Sequence, residues 1–368
     1  MIRVGVRLRR LVDESHEIRI GRGLGPRISV DLRRRALARR YVVVTDAALV
    51  ARHGRRLVAA LRRRGLPTDL LVVPSGEASK TRAVRDRLED RLIALGADRG
   101  TALVALGGGV VGDLAGFVAA TFHRGIPYVH VPTTLVGMVD ASIGGKTGIN
   151  HPAGKNLIGA YHTPAAVYVD IDYLRTLPNR AFVSGLAEVV KCGVIADGAL
   201  FRSIERHRDR LLRRDPDLLS RLIEAACRIK VRVVREDPRE NGRRTILNFG
   251  HTIGHALETL SRYRLAHGEA VSIGMVVEAR IAARAGIASE DLVPRLETLL
   301  RALGLPTAVP TRYTSASILE VARRDKKARA GRIAYALPKR LGAMAQVGGA
   351  YAIRVEDEVV RQVLAESR

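Results

Sequence analysis

Between residues 40 and 170, short apolar runs alternate with longer amphipathic stretches. The runs 41–46, 70–74, 101–106 and 166–170 are rich in Val, Leu and Ala, as parallel strands buried on both faces are, and 131–135 reads as a further strand that ends in hydroxyls. Residues 47–60, 81–95 and the segment from Gly109 to about His123 carry the helical period between them. Ahead of this region, residues 1–30 predict two short strands around a turn at 21–26, followed by an Arg-rich helix. Alternation stops at Leu177-Pro178, a boundary because proline disfavours helix in the residue before it. Beyond it the pattern predicts helices at 180–194, 198–213, 217–235, 250–260, 268–285, 290–303 and 315–326. The expected architecture is an α/β Rossmann-like nucleotide-binding domain at 1–176 and an all-α domain at 177–368. A site is expected in the cleft between them. There is no internal repeat and no low-complexity linker.

Composition adds little until charge is considered. With 368 residues the chain is long enough for two cores, and 47% apolar content is ordinary. No apolar run approaches the ~20 residues of a membrane span, and the start, Met1-Ile-Arg-Val, reads as a strand without the features of a signal peptide. Cys192 and Cys227 make no disulfide framework and lack metal-binding spacing, so a reducing cytoplasm is the expected setting. The formal charge of +25 has two readings, nucleic-acid binding or an Arg-rich surface around a site for an anionic substrate. The arginines are dispersed over expected helix faces, with few aromatics for base stacking and no recognisable nucleic-acid module. Nucleic acid is therefore not the expected principal partner.

Candidate chemistry centres on residues 101–161. Gly107, Gly109 and Gly112 form G-x-G-x-x-G between a strand and a helix, where bare N–H groups can cradle a pyrophosphate. Alone, the motif reads equally well as a tight turn. Its surroundings favour a ligand: Thr133 and Thr134 end a strand, Asp140 follows, and Lys146, Lys155 and Asn156 sit among glycines in an anion-handling loop. Asp46, at a strand end, suits either a ribose or a helix N-cap. Residues 75–80 form a polar loop at another carboxyl strand end.

In the helical half, Glu188 and Lys191 are three apart, the spacing of an ion pair, but their apolar flanks suggest a helix with little solvated surface. His251 and His255 share one helix face, and His267 opens another helix. Three histidines and a buried-looking glutamate point to a divalent metal of the His₂Glu type with an open position. Spacing does not say which two imidazoles bind; the i, i+4 pair is the first geometric choice. Lys230, Arg244 and Asn248 add a basic and polar cluster. Lys326 and Lys327 read either as further cations or as a solvated helix end.

Taken together, the motifs resemble the 3-dehydroquinate synthase family of sugar-phosphate cyclases. The resemblance runs from Asp46 to Lys327 through 107–113, 131–134, 144–148, 151–156, 186–191, 248–255 and 267–269. It implies that Glu188, His251 and His267 are ligands of Zn2+ or Co2+, which moves His255 from the metal to the substrate. It implies NAD contacts at Asp46, Glu77, Lys80, Gly109, Asp113, Thr133, Thr134, Lys146, Lys155, Tyr173 and Thr176. It implies a substrate pocket of Asp140, Lys146, Lys155, Asn156, Lys191, Lys230, Arg244, Asn248, His255 and one lysine of 326–327. Arg124 matches an arginine that reaches the neighbouring subunit's phosphate site, so a homodimer is expected.

The implied reaction converts 3-deoxy-D-arabino-heptulosonate 7-phosphate to 3-dehydroquinate and phosphate in the shikimate pathway, with NAD recycled within each turnover. Several cations suit so anionic a substrate. Cys192 departs from the aromatic residue often found beside the matching lysine. The alternatives are another cyclase, of the 2-deoxy-scyllo-inosose or valiolone type, and a metal-dependent polyol dehydrogenase releasing NADH. A basic nucleic-acid-associated protein is the alternative from a different class.

Overall fold

Residues 13–152, 154–324 and 333–368 are described in a computed structural model. The expected strand at Met1 and the lysines 326 and 327 lie outside these residues. In chain order come β1 (Glu17–Gly21), α1 (Gly25–Arg35), β2 (Arg40–Asp46), α2 (Arg55–Arg62), β3 (Thr68–Val73), α3 (Arg82–Ala94) and β4 (Thr101–Gly107). They are followed by α4 (Gly109–Thr121), β5 (Tyr128–Pro132), β6 (Lys146–His151), β7 (Gly154–Tyr161) and β8 (Ala166–Asp170). Six of the strands form one parallel sheet in the order β1-β8-β5-β4-β2-β3, and β6 and β7 pair as an antiparallel hairpin.

Strand alternation sorts the core into two layers. Tyr41 and Val43 of β2 face Ile28, Leu32, Leu57 and Leu61 of α1 and α2. Val42 and Val44 face the layer that holds Val84, Leu88, Leu114 and Val118 of α3 and α4. Each such side chain contributes about 1.5–3 kcal/mol by leaving water, so a central strand apolar on both faces belongs inside the sandwich and nowhere else. From β2 the chain runs outward to the edge strand β3, then returns past β2 to β4 and continues to β5. That reversal puts a crevice between the carboxyl ends of β2 and β4, where ligands bind in open α/β sheets.

The second half comprises α5 (Asn179–Ala196), α6 (Gly198–Leu212), α7 (Pro216–Glu236), α8 (His251–Leu260), α9 (His267–Arg284), α10 (Leu292–Ala302) and α11 (Ser315–Arg324). Short strands β9 (Tyr335–Ala336), β10 (Pro338–Arg340), β11 (Ala343–Met344) and β12 (Ala352–Ile353) precede the last helix, α12 (Asp357–Glu366). Asp197 and Asp215 accept hydrogen bonds from the first free N–H groups of α6 and α7, which fixes both helix starts. Met138, Val139, Val167 and Val169 share one core with Phe182, Leu186, Val190, Ile223, Val271 and Met275, so the helices pack directly onto the sheet side. Among the described residues, no helix is long and apolar enough to cross a membrane.

Several local expectations change. The second N-terminal strand is instead α1: Pro26 occupies its first turn, and Ile28 and Leu32, one turn apart, are its buried face. The helix expected over 47–60 begins at Val50, as one wider π-type turn (Val50–Gly54) that runs straight into α2, because the Asp46 carboxylate accepts from Ala48 N and Ser75 Oγ and holds a turn ahead of it. The strand expected at 131–135 lies at 128–132, and the glycine- and lysine-rich stretch expected as a loop is the hairpin β6–β7.

Candidate active site

Helix α4 starts at the end of β4 with no side-chain cap, leaving its first N–H groups bare toward the crevice. Gly112 lets α4 lie close against β5: a Cβ there would sit 2.1 Å from the His130 ring. His130 is buried with no partner for Nε2, and burial pushes its pKa down to about 4, so it packs as a neutral ring. Along the crevice, Lys80 is buried and donates to Asp113 Oδ2 at 2.7 Å and to Asn156 Oδ1 at 2.5 Å. Burial works against its charge, but Asp113 and Glu77 outweigh that and raise its pKa. Glu77 accepts from Asn150 at 2.7 Å and lies 3.8 Å from Lys155 Nζ. Thr133 is buried beside the glycine turn, its N–H donating to Gly107 O, and Thr134 Oγ1 accepts from Gly137 N. Tyr173 and Thr176 follow β8; His53 meets both, with Nε2 3.0 Å from Thr176 Oγ1 and its ring edge-on to Tyr173.

Three helices bring the expected metal ligands together. Glu188, 1% exposed, lies in the middle of α5, His251 opens α8 and His267 opens α9. Gly268 makes the crossing possible: its N–H donates to Ser184 Oγ at 2.9 Å, and a Cβ at 268 would lie 1.7 Å from the Ser184 carbonyl oxygen. Behind α8, the buried Glu278 carboxylate accepts from Gly250, Thr252 and Ile253 N–H, anchoring the helix start that carries His251. Glu188 Oε1 is then 3.5 Å from His251 Nε2 and 3.3 Å from His267 Nε2.

The donor set fits a small dication. Neither Glu188 oxygen has a hydrogen bond, although both are buried; Lys191 Nζ stands 2.5 Å from Oε2 in an ion pair without hydrogen-bond alignment. His251 Nδ1 faces the Phe249 carbonyl at 3.1 Å, so Nδ1 carries the proton and Nε2 keeps its lone pair. Ligand atoms about 2.0–2.1 Å from a tetrahedral zinc lie about 3.3–3.4 Å apart, close to the spacings found here. With no ion present, burial opposes charge on His267, yet Glu258 and Glu188 push its pKa up to about 10. The site therefore attracts a cation. A second trio, His255, Glu258 and His267, also lies within reach of one ion. The His255 ring stands 5.3 Å from His251 and 6.3 Å from His267, centre to centre.

Around this cluster the expected cations face acidic partners. Lys230 Nζ donates to both the carbonyl and the carboxylate of Asp140. Burial opposes ionisation of Asp140, but Lys230 and Lys191 hold it ionised. Arg244 is buried, its guanidinium donating to Pro238 O at 2.6 Å and Gly144 O at 3.2 Å, which ties the base of the hairpin to the helical half. Lys146 pairs with Glu240, whose other oxygen accepts from Asn248 at 2.7 Å. Arg124 stands apart, exposed in the turn after α4, without an ion pair among the described residues. Three carboxylates escaped the sequence reading: Glu240, Glu258 and Glu278. Glu258 follows His255 by three positions, a spacing that carried a signal; Glu240, between Arg239 and Arg243, looks like surface. Burial pushes the Cys192 and Cys227 thiols up to about 12, so neither is a thiolate ligand.

Comparison with known proteins agrees with this arrangement. The family model described as 3-dehydroquinate synthase N-terminal matches residues 70–184, and 3-dehydroquinate synthase C-terminal matches residues 185–328. The 3-dehydroquinate synthase of a Synechococcus strain is 47% identical over 330 residues, 89% of this chain and 87% of that protein. Among solved structures, 2-epi-5-epi-valiolone synthase from Streptomyces hygroscopicus subsp. jinggangensis, with NAD+ and Zn2+ bound, superposes with a TM-score of 0.89. It is 28% identical and is covered over 99% of its length and 98% of this chain. A 2-deoxy-scyllo-inosose synthase complexed with carbaglucose-6-phosphate, NAD+ and Co2+ gives 0.86 at 29% identity, covering 95% of this chain and 96% of that one. With both family models in register along one chain and a relative of that identity over nearly its full length, the chain belongs to the 3-dehydroquinate synthase family.

Proposed function

We propose that the chain converts 3-deoxy-D-arabino-heptulosonate 7-phosphate to 3-dehydroquinate and phosphate, with NAD and one divalent metal. The observation that carries this reading is the buried Glu188 carboxylate facing two imidazole Nε2 atoms beside a cluster of ammonium groups. Glu188, His251 and His267 would hold Zn2+ or Co2+. The bare start of α4 with Gly109, Asp113, Lys80, Glu77, Asp46, Thr133, Thr134, Tyr173 and Thr176 would hold NAD. When bound, NAD supplies a reversible hydride acceptor and the cation a Lewis acid for substrate oxygens.

The chain's own groups do the rest. Lys146, Arg244 and Asn248, at the hairpin base, suit the substrate carboxylate and hydroxyls. Lys191, Lys230, Asn156 and His255 suit the phosphate and the ring oxygens, with Lys155 near both ligands. Asp140 keeps Lys230 oriented and offsets part of the burial that pulls its pKa down. Glu240 occupies Lys146 and Asn248, so substrate has to displace or share it. Burial strengthens the contacts of Lys191, Lys230 and Arg244, since charges act more strongly away from water. Arg124 would serve the partner subunit's site in a homodimer.

The valiolone and inosose cyclases share the fold at 28–29% identity, well below the 47% to a dehydroquinate synthase, which favours the carboxylated substrate. The test is a turnover assay on the heptulosonate phosphate. One phosphate released per substrate consumed, with no net absorbance at 340 nm, supports the reading. Lasting NADH release, or turnover only of uncarboxylated sugar phosphates, overturns it.

A further inference from the structure

His267 is supported from behind. Its Nδ1 lies 3.4 Å from Glu258 Oε2, on the opposite side of the ring from Glu188. Glu258, 2% exposed in the last turns of α8, has its other oxygen 2.8 Å from Lys155 Nζ. Lys155 belongs to β7, in the half of the chain that forms the crevice, and its ammonium also lies 3.8 Å from Glu77 and 4.7 Å above the Tyr263 ring. Glu77 faces Lys80, and Lys80 holds Asp113 on α4. A polar path thus runs from the start of the glycine helix to the back of a metal-facing imidazole. Among the described residues, Lys155 carries this path from an element of the sheet half to Glu258.

We propose that Lys155 and Glu258 couple the two sites, so that an anionic dinucleotide in the crevice tightens metal binding at Glu188, His251 and His267. The proposal rests on the functional reading above. An anion in the crevice competes for the Lys155 ammonium and draws it from Glu258. The carboxylate, with its charge no longer offset, then polarises His267 more strongly through Nδ1–H, as carboxylate partners of metal-bound histidines do. The sign follows from charge. A nearby ammonium repels a dication, so withdrawing it from Glu258 favours the metal. By linkage the metal tightens the dinucleotide by the same factor.

The test titrates the chelator-stripped full chain with Co2+ at one pH, with and without saturating ADP-ribose. This probe fills the adenosine and pyrophosphate part of the crevice and has no nicotinamide to touch the metal. The wild type should bind Co2+ at least about fivefold more tightly with ADP-ribose present. Lys155→Met should bind Co2+ more tightly without ADP-ribose and lose the response to it, and Lys155→Arg should keep the response. Glu258→Gln should weaken Co2+ binding about 10- to 100-fold and abolish the response. Wild-type protein that binds ADP-ribose without any change in Co2+ affinity refutes the coupling, as does a Lys155→Met variant that retains it. Failure of ADP-ribose to bind the wild type removes the dinucleotide reading and the coupling with it.

Discussion

Gly268→Ala separates the metal geometry from the stability of the fold. The new Cβ would lie 1.7 Å from the Ser184 carbonyl oxygen, whereas an ordinary carbon–oxygen contact is about 3.3 Å or more. Helices α5 and α9 must therefore part by about 1.5 Å at this crossing. His267, the preceding residue, moves with α9, while Glu188 lies one turn further along α5. Metal–ligand distances tolerate only about 0.2 Å, so His267 should leave the coordination sphere. Losing a direct ligand should weaken Co2+ binding by more than the roughly 100-fold upper range seen for supporting residues. Overpacking should cost about 1–3 kcal/mol of stability, a small part of what the shared core provides. The assays are Co2+ titration followed by its visible absorption, and thermal unfolding in chelator. A variant that binds Co2+ within twofold of the wild type, with an unchanged spectrum, would refute the claim that this crossing sets the site.

Other expectations follow from the same geometry. Glu188→Gln should abolish both metal occupancy and turnover while leaving far-ultraviolet circular dichroism unchanged; wild-type rates would remove the assignment. Lys146→Ala should raise KM for the heptulosonate phosphate at least tenfold and leave the NAD dissociation constant unaltered, and an unchanged KM would displace Lys146 from the pocket. His267 keeps its proton up to about pH 10 when no ion is bound, because Glu258 and Glu188 outweigh the burial that opposes its charge. Metal must displace that proton, so affinity should rise with pH, about tenfold per unit between pH 6 and 9. Calorimetry in buffers of different ionisation enthalpy should count about one proton released by this group, and a pH-independent affinity would contradict the assignment.

Much of this was legible in the sequence because local rules and tertiary packing agree. The inner strands β2, β4, β5 and β8 are buried on both faces, so no competing period obscured them, and most helix starts in the second half fell within two residues of the pattern. Failures arose where a distant contact decided the outcome. Asp46 was drawn into a turn by Ser75, 29 positions away, which moved the helix start from 47 to 50. The glycines and lysines of 144–156 resemble a loop until two strands pair, and the pairing is held at its base by Arg244, 100 positions from Gly144.

The metal trio shows the same limit. Spacing alone favours His251 with His255, the geometry of one helix face. The resemblance corrected that choice, and the physical reason lies in Gly268 and Glu278. Gly268 lays α9 against α5, and Glu278 fixes the start of α8, so Glu188 meets His251 and His267. Neither contact has a local signature. Glu258 and Glu240 were missed for a related reason: a carboxylate is recognised as functional by what it faces, and both face groups from other elements.

The most direct measurement locates the ion. Crystals of the zinc-loaded protein should show one anomalous peak at the zinc edge, about 2.0–2.2 Å from a Glu188 oxygen and from Nε2 of His251 and His267, opening toward the glycine turn. A peak held instead by His255, Glu258 and His267, or none between α5, α8 and α9, would contradict the account.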